Sequence, residues 1–174
     1  MLLRRVILTA VLAAAAFSQT VPDSQKTQSR IAREARHEIL MLQYYGVFDN
    51  IALRVDDCNV TLMGQVTRPL LKDEAERAIK DIEGVDQVIN QIEVLPLSPN
   101  DDRLRLALYR AIYGFSALQR YAMPVIKPIR LIVKNGQVTL EGVVDGEGDK
   151  NVVSIRANGV HGVFSVTNNL RVAR

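Results

Sequence analysis

Two stretches decide the fold: Val60-Thr61-Leu62-Met63-Gly64-Gln65-Val66 and Val138-Thr139-Leu140-Glu141-Gly142-Val143-Val144. Each places Val, Leu and a second Val on a strand interrupted by one glycine, and they lie 78 positions apart. The same shift lays residues 48–94 over residues 126–172 without a gap. Gly84-Val85 then meets Gly162-Val163, and Val88, Asn90, Ile92 and Val94 meet Val166, Asn168, Leu170 and Val172. Apolar matches alone would be weak, but paired glycines within a shared Val-Thr-Leu-x-Gly point to duplication of one module.

Working outward, Leu53 and Val55 alternate before the Asp56-Asp57-Cys58-Asn59 turn, so the first stretch is the return strand of a hairpin. Upstream, Ile31, Ala35, Ile39 and Leu42 fall close to helical spacing, and Gly46 ends that segment. Downstream of Pro69, Leu71, Ala75, Ala78, Ile79 and Ile82 form one helical face closed by Gly84. A third strand follows, with Val88, Asn90, Ile92 and Val94 on one side.

The second copy repeats the order. Leu104, Leu108, Ala111 and Ile112 mark its first helix, and Asn135-Gly136 is a strong two-residue hairpin signal. Tyr113-Gly114 resembles Tyr45-Gly46, which sets the first helices 68 positions apart and predicts about ten inserted residues near Phe115. Val153, Ala157 and Val160 predict a second helix of low intrinsic propensity after Gly146-Glu147-Gly148. The fold class is therefore α+β: two tandem helix-strand-strand-helix-strand modules, each with helices packed on one face of a three-stranded sheet. The division reads as 1–18 signal peptide, 19–30 flexible leader, 31–95 first module, 96–100 linker and 101–174 second module.

This pattern resembles the BON domain, named for bacterial OsmY and nodulation proteins. Gly64, Gly84 and Asn90, and Gly142, Gly162 and Asn168, stand at its characteristic positions and are expected to be structural. The resemblance implies a non-enzymatic envelope protein that attaches to phospholipid surfaces and supports the envelope under osmotic or related stress. It transfers no catalytic residues. The Asp145 to Asp149 segment and the insertion near Phe115 depart from the simpler pattern.

Of the 174 residues, 22 are Lys or Arg and 19 are Asp or Glu. Met1 to Arg5 is a short cationic start, residues 6–17 are apolar or small apart from Thr9, and Ala16-Phe17-Ser18 suits a signal peptidase. The reading is a secretory signal peptide and a periplasmic or secreted location. Loss of Arg4 and Arg5 takes 22 basic residues to 20, against 19 acidic ones, so nothing supports strong attraction to nucleic acid. Cys58 is the single cysteine, which excludes an internal disulfide and leaves an intermolecular one open.

No residue set suggests catalysis. His37 and His161 are not at equivalent positions, Asp56, Asp57 and Asn59 lack the rest of a calcium loop, and the glycines lack a Walker lysine. Neither an enzyme, a cofactor, a metal, nor a small-molecule substrate is expected. A membrane reading needs a surface, and Arg110, Tyr113, Phe115, Arg120, Tyr121, Lys127 and Arg130 are its candidate lipid-binding residues. The apolar members either insert shallowly beside the cations or bury the first helix of the copy or the interface between the domains. The partner is a phospholipid surface or another envelope component, the alternative being a protein-interaction or cell-wall scaffold without lipid binding.

Overall fold

The computed structural model describes residues 23–173, so the signal-peptide reading of residues 1–18 lies outside the described residues. In the first module α1 (Asp23–Met41) precedes the hairpin β1 (Asn50–Asp56) and β2 (Asn59–Val66), then α2 (Pro69–Lys80) and β3 (Gln87–Val94). The second module runs α3 (Pro99–Tyr113), a 3-10 turn (Ser116–Leu118), α4 (Gln119–Ala122), β4 (Ile129–Lys134), β5 (Gln137–Val144), α5 (Glu147–Asn158), β6 (Ser165–Asn168) and β7 (Arg171–Val172). The tandem α+β arrangement is the one the sequence predicts.

In both modules the central strand pairs antiparallel with its hairpin partner and parallel with the strand after the helix. Val60 lies opposite Val88 and Val138 opposite Val166, so the sheets share one register. The parallel strand of the second module is broken at Asn169-Leu170, and both of its parts pair with β5. Each sheet buries one face beneath two helices. Ile31, Ala35, Ile39, Leu71, Ala75 and Ile79 cover Val60, Leu62 and Ile92 in the first core. Leu104, Leu108, Ile112, Val153 and Ala157 cover Val138, Leu140 and Leu170 in the second.

The hallmark asparagines make the same two backbone bonds in both copies. Asn90 Nδ2 donates to the Lys72 carbonyl at 2.9 Å while its Oδ1 accepts from the Ile92 amide at 3.1 Å. Asn168 does the same with Lys150, at 3.0 Å, and Leu170, at 3.1 Å. Each asparagine thus ties the crossover helix to the strand that follows it. Gly64 and Gly142 have φ of +115° and +125°, and a Cβ on either would overlap the carbonyl oxygen of Asn50 or Pro128. The hairpin partner's backbone occupies the space a side chain would take.

Two expectations are corrected. Residues 23–30, expected within a flexible leader, are the first turns of α1. Gln28 Nε2 reaches Asp57 at 3.0 Å, and Arg30 spans Glu34 and the Glu83 carbonyl, so polar contacts hold a segment without an apolar stripe. The first helices also correspond at 73 positions rather than 68. Ile31, Ala35 and Ile39 are the buried triplet matching Leu104, Leu108 and Ile112, and Ile31 and Leu104 lie against the space beside Gly84 and Gly162. The insertion is therefore about five residues. Tyr45 and Tyr113 misled the alignment because both bond the start of the hairpin, Tyr45 accepting from the Ile51 amide and Tyr113 donating to the Ile129 carbonyl. They arrive there from different points on the chain.

The modules touch through the loop before β1. The Leu131 amide on the edge strand β4 donates to the Val47 carbonyl at 2.8 Å, and Val47 and Phe48 pack against the second core. Arg130 donates to the Gly46 carbonyl at 2.7 Å with its guanidinium 4.6 Å from the centre of the Tyr45 ring. An exposed Lys134–Glu93 pair at 2.5 Å adds little.

Candidate functional site

The seven candidate lipid-binding residues do not form one surface. Tyr113, Tyr121 and Arg130 are buried. The Tyr113 hydroxyl bonds Ile129 and burial pushes it well above the ordinary tyrosine range, while Arg130 serves the contact between modules. Lys127 turns back to the carbonyls of Ala122 and Pro124 at 2.8 and 2.7 Å. Arg120 pairs with Asp145 at 2.8 Å and with Asp149, and the Tyr121 hydroxyl foremost, with Asp149 after it, raises its pKa further. Arg110 and Phe115 remain at the surface, Phe115 partly covered by Arg156.

The two departures from the simpler pattern turn out to be one feature. Arg120 and Tyr121, from the inserted segment, grip Asp145 and Asp149, from the glycine-rich one. The Tyr121 hydroxyl donates to Asp149 at 2.6 Å and accepts from the Asp145 amide at 2.8 Å. In the first module the equivalent amide, that of Thr67, donates to buried Asp49 at 2.7 Å. Lys127 stands at the position of Asp49, so the second module lost that acceptor and closes the corner with a tyrosine. The Tyr121 hydroxyl foremost, and Arg120 after it, hold the Asp149 carboxyl below its usual range against the opposing effect of burial.

A carboxyl lowered on folding binds protons more readily unfolded, so its stabilisation is present above about pH 4 and is lost as pH falls below it. Tyr121→Phe is expected to cost about 1–2 kcal/mol near neutrality. Urea midpoints should then fall less steeply for the variant than for the parent between about pH 5 and about pH 3.

An exposed surface of the right chemistry lies on the helices. In each module the two helices share one layer, and the residues opposite their buried stripes form an outer crest. In the first module the corresponding four positions are Arg33, His37, Asp73 and Arg77, all polar, with Leu40 and Leu70 exposed near them at 40% and 43%. The equivalents in the second are Leu106, Arg110, Asn151 and Ile155, with Leu106 51% and Ile155 69% exposed. Beside them Arg156 donates to the Ala111 carbonyl at 3.0 Å and stacks 4.8 Å from the centre of the Phe115 ring. The result is two exposed aliphatic side chains flanked by Arg110, Arg156 and a half-buried aromatic ring. A sequence signal accompanies it, since no acid occurs in residues 103–140 while seven Lys and Arg do. Leu106 and Ile155 escape a reading by local aromatic and basic content because they lie on separate helices, and only the fold brings both to one outer face.

Among the described residues no group of His, Cys, Asp and Glu could hold a metal ion, and no helix is long and apolar enough to cross a membrane. His37 and His161 are both exposed, and Cys58 is a partly buried free thiol in the first hairpin turn.

The family model described as BON domain matches residues 27–96 and 117–174. Among solved structures the chain is similar to the C-terminal domain of CdsD, a structural protein of the type III secretion system of Chlamydia trachomatis. That likeness has 12% identity and a TM-score of 0.28 over 82% of this chain and 96% of the other. A second CdsD structure gives 14% identity and a TM-score of 0.29 over 83% and 94% of the respective chains. Comparison with curated proteins finds no match.

Proposed function

Since the chain belongs to the BON domain family, we propose that it is a non-enzymatic envelope module that lies on anionic phospholipid through the helical face of its second repeat. The observation that carries this reading is the outer crest. Leu106 and Ile155 stand exposed where the first module has Arg33 and Arg77, and Arg110 and Arg156 flank them. Exposed aliphatic groups gain by shallow entry below the headgroups while guanidinium groups meet lipid phosphates, the two terms that hold a peripheral protein on a membrane. The four matching positions of the first module offer only the second, and its exposed Leu40 and Leu70 are more covered than Leu106 and Ile155. Attachment of this kind suits a periplasmic protein that supports envelope integrity under stress.

The test is co-sedimentation of the purified protein with neutral and with anionic phospholipid vesicles across a salt series. Binding is expected on anionic vesicles only and to weaken as salt rises. Leu106→Asp with Ile155→Asp is expected to weaken it about tenfold or more, and Arg110→Gln with Arg156→Gln to flatten its salt dependence. Arg33→Gln with Arg77→Gln on the first crest is expected to change little. Failure of the folded protein to bind either vesicle type would overturn the reading and favour the scaffold alternative.

A further inference from the structure

The duplication makes the contact between the modules a template for a second contact that the chain does not satisfy within itself. In the satisfied contact, a plug from the first module sits in a seat on the second. The plug is Val47 and Phe48. The seat is the β4 edge at Leu131 and the neighbouring face of α3, where Phe48 meets Tyr109 edge-on at 6.5 Å between ring centres.

Each half has a counterpart elsewhere. Shifted by the 78 positions of the hairpins, the plug becomes Val125 and Ile126, which are 96% and 46% exposed. With the strand at the same shift and the helix at 73, the seat becomes Leu53 on β1 with Arg36 and Leu40 on α1. These three residues share one wall of an open cleft of about 510 Å³ whose other side is Glu141, Gly142, Asn169 and Arg171 of the second module, and β1 is the edge of its sheet. The Ile51 amide turns away from β2 to bond the Tyr45 hydroxyl, so by strand parity the Leu53 amide points out of the edge as the Leu131 amide does. Leu40 is 40% exposed in this cleft.

We propose that the Val125–Ile126 loop of one copy docks on the Leu53 edge of a second copy, so that the chain associates head to tail. The occupant is set by continuity with the contact already present. The same loop position meets the same edge position, a backbone amide finds a carbonyl, and apolar side chains leave water. The surfaces on the two copies differ, so the contact is heterologous, and each added chain presents the same unused plug and seat. Two departures make it weaker than its template. Ala52 stands where Arg130 clamps the loop, and Arg36 replaces Tyr109. The contact is also intermolecular, whereas the template is favoured by the short linker between modules. This surface is separate from the proposed lipid-facing crest.

The experiment is sedimentation velocity of the purified protein without lipid, from about 10 μM to about 1 mM, a range suited to a weak contact. The sedimentation coefficient is expected to rise with concentration. Val125→Asp with Ile126→Asp, which spoils the plug, and Leu40→Asp, which spoils the seat, are each expected to remain monomeric with an unchanged far-UV circular dichroism spectrum. An equimolar mixture of the two is expected to form a species of two chains only, because one supplies an intact seat and the other an intact plug. The Leu106→Asp with Ile155→Asp variant is expected to associate like the parent, so failure of lipid binding and failure of this contact are read separately. A parent protein monomeric throughout would overturn the proposal. So would association that survives either variant, or a mixture that does not restore pairing.

Discussion

Gly142→Ala is expected to destabilise the second module by about 4 kcal/mol, from strain at a positive φ together with overpacking against a neighbouring backbone. The obstacle is the Pro128 carbonyl of the partner strand, which cannot rotate aside as a side-chain end would. Relief requires β4 and β5 to separate, yet Ile129 pairs directly with Gly142 and lies in the core. Gly64→Ala is expected to do comparable damage to the first module, where Asn50 takes the place of Pro128. Gly146→Ala supplies the contrast, since nothing lies within 4 Å of a Cβ there and its φ is −156°. It should change stability by less than about 1 kcal/mol. Chemical denaturation followed by circular dichroism measures all three, and equal losses at Gly142 and Gly146 would contradict this account.

Asp101→Ala is expected to cost about 3 kcal/mol, a large effect for a residue that touches no ligand. Its carboxylate is buried in the first turn of α3 and accepts from the Asn135 amide at 2.8 Å and the Gly136 amide at 2.9 Å. It thereby fixes the hairpin turn to the helix, and its charge is favoured by the helix N-terminus. Removing it leaves two turn amides without their acceptor. Asp101→Asn retains one acceptor oxygen and should lose about half as much. Denaturation midpoints order the three proteins, and an asparagine variant no better than alanine would show that the charge rather than the bonding matters.

The architecture was legible because the features that specify it repeat. A glycine where backbones touch and an asparagine that ties helix to strand are constraints few other residues meet, so both copies keep them at one spacing. The first-helix register was misread for a physical reason. Tyr45 and Tyr113 satisfy the same need from different positions, and only the burial of Ile31, Ala35 and Ile39 against Leu104, Leu108 and Ile112 reveals the true offset. The candidate surface was less legible. Tyr113, Tyr121 and Arg130 have a membrane-binding composition, but their polar atoms are engaged by Ile129, Asp149 and Gly46, partners that periodicity does not disclose. Leu106 and Ile155 are not singled out by the sequence because an isolated exposed aliphatic residue is ordinary until the fold turns two of them to one face.

Val47 and Phe48 belong by sequence to one repeat and by packing to the other, and this bears on how the chain comes apart. Unfolding the first repeat withdraws two partly buried side chains from the flank of the second core and strips the cover from the Leu131 amide. The repeats are thus thermodynamically linked, with part of the second repeat's resistance to denaturation residing in its neighbour. The linkage runs one way in its materials, because the second repeat lends the first only surface contacts. Loss of the first repeat therefore leaves the second core uncovered on one flank, whereas loss of the second leaves the Ile31 to Ile92 core and its cover whole.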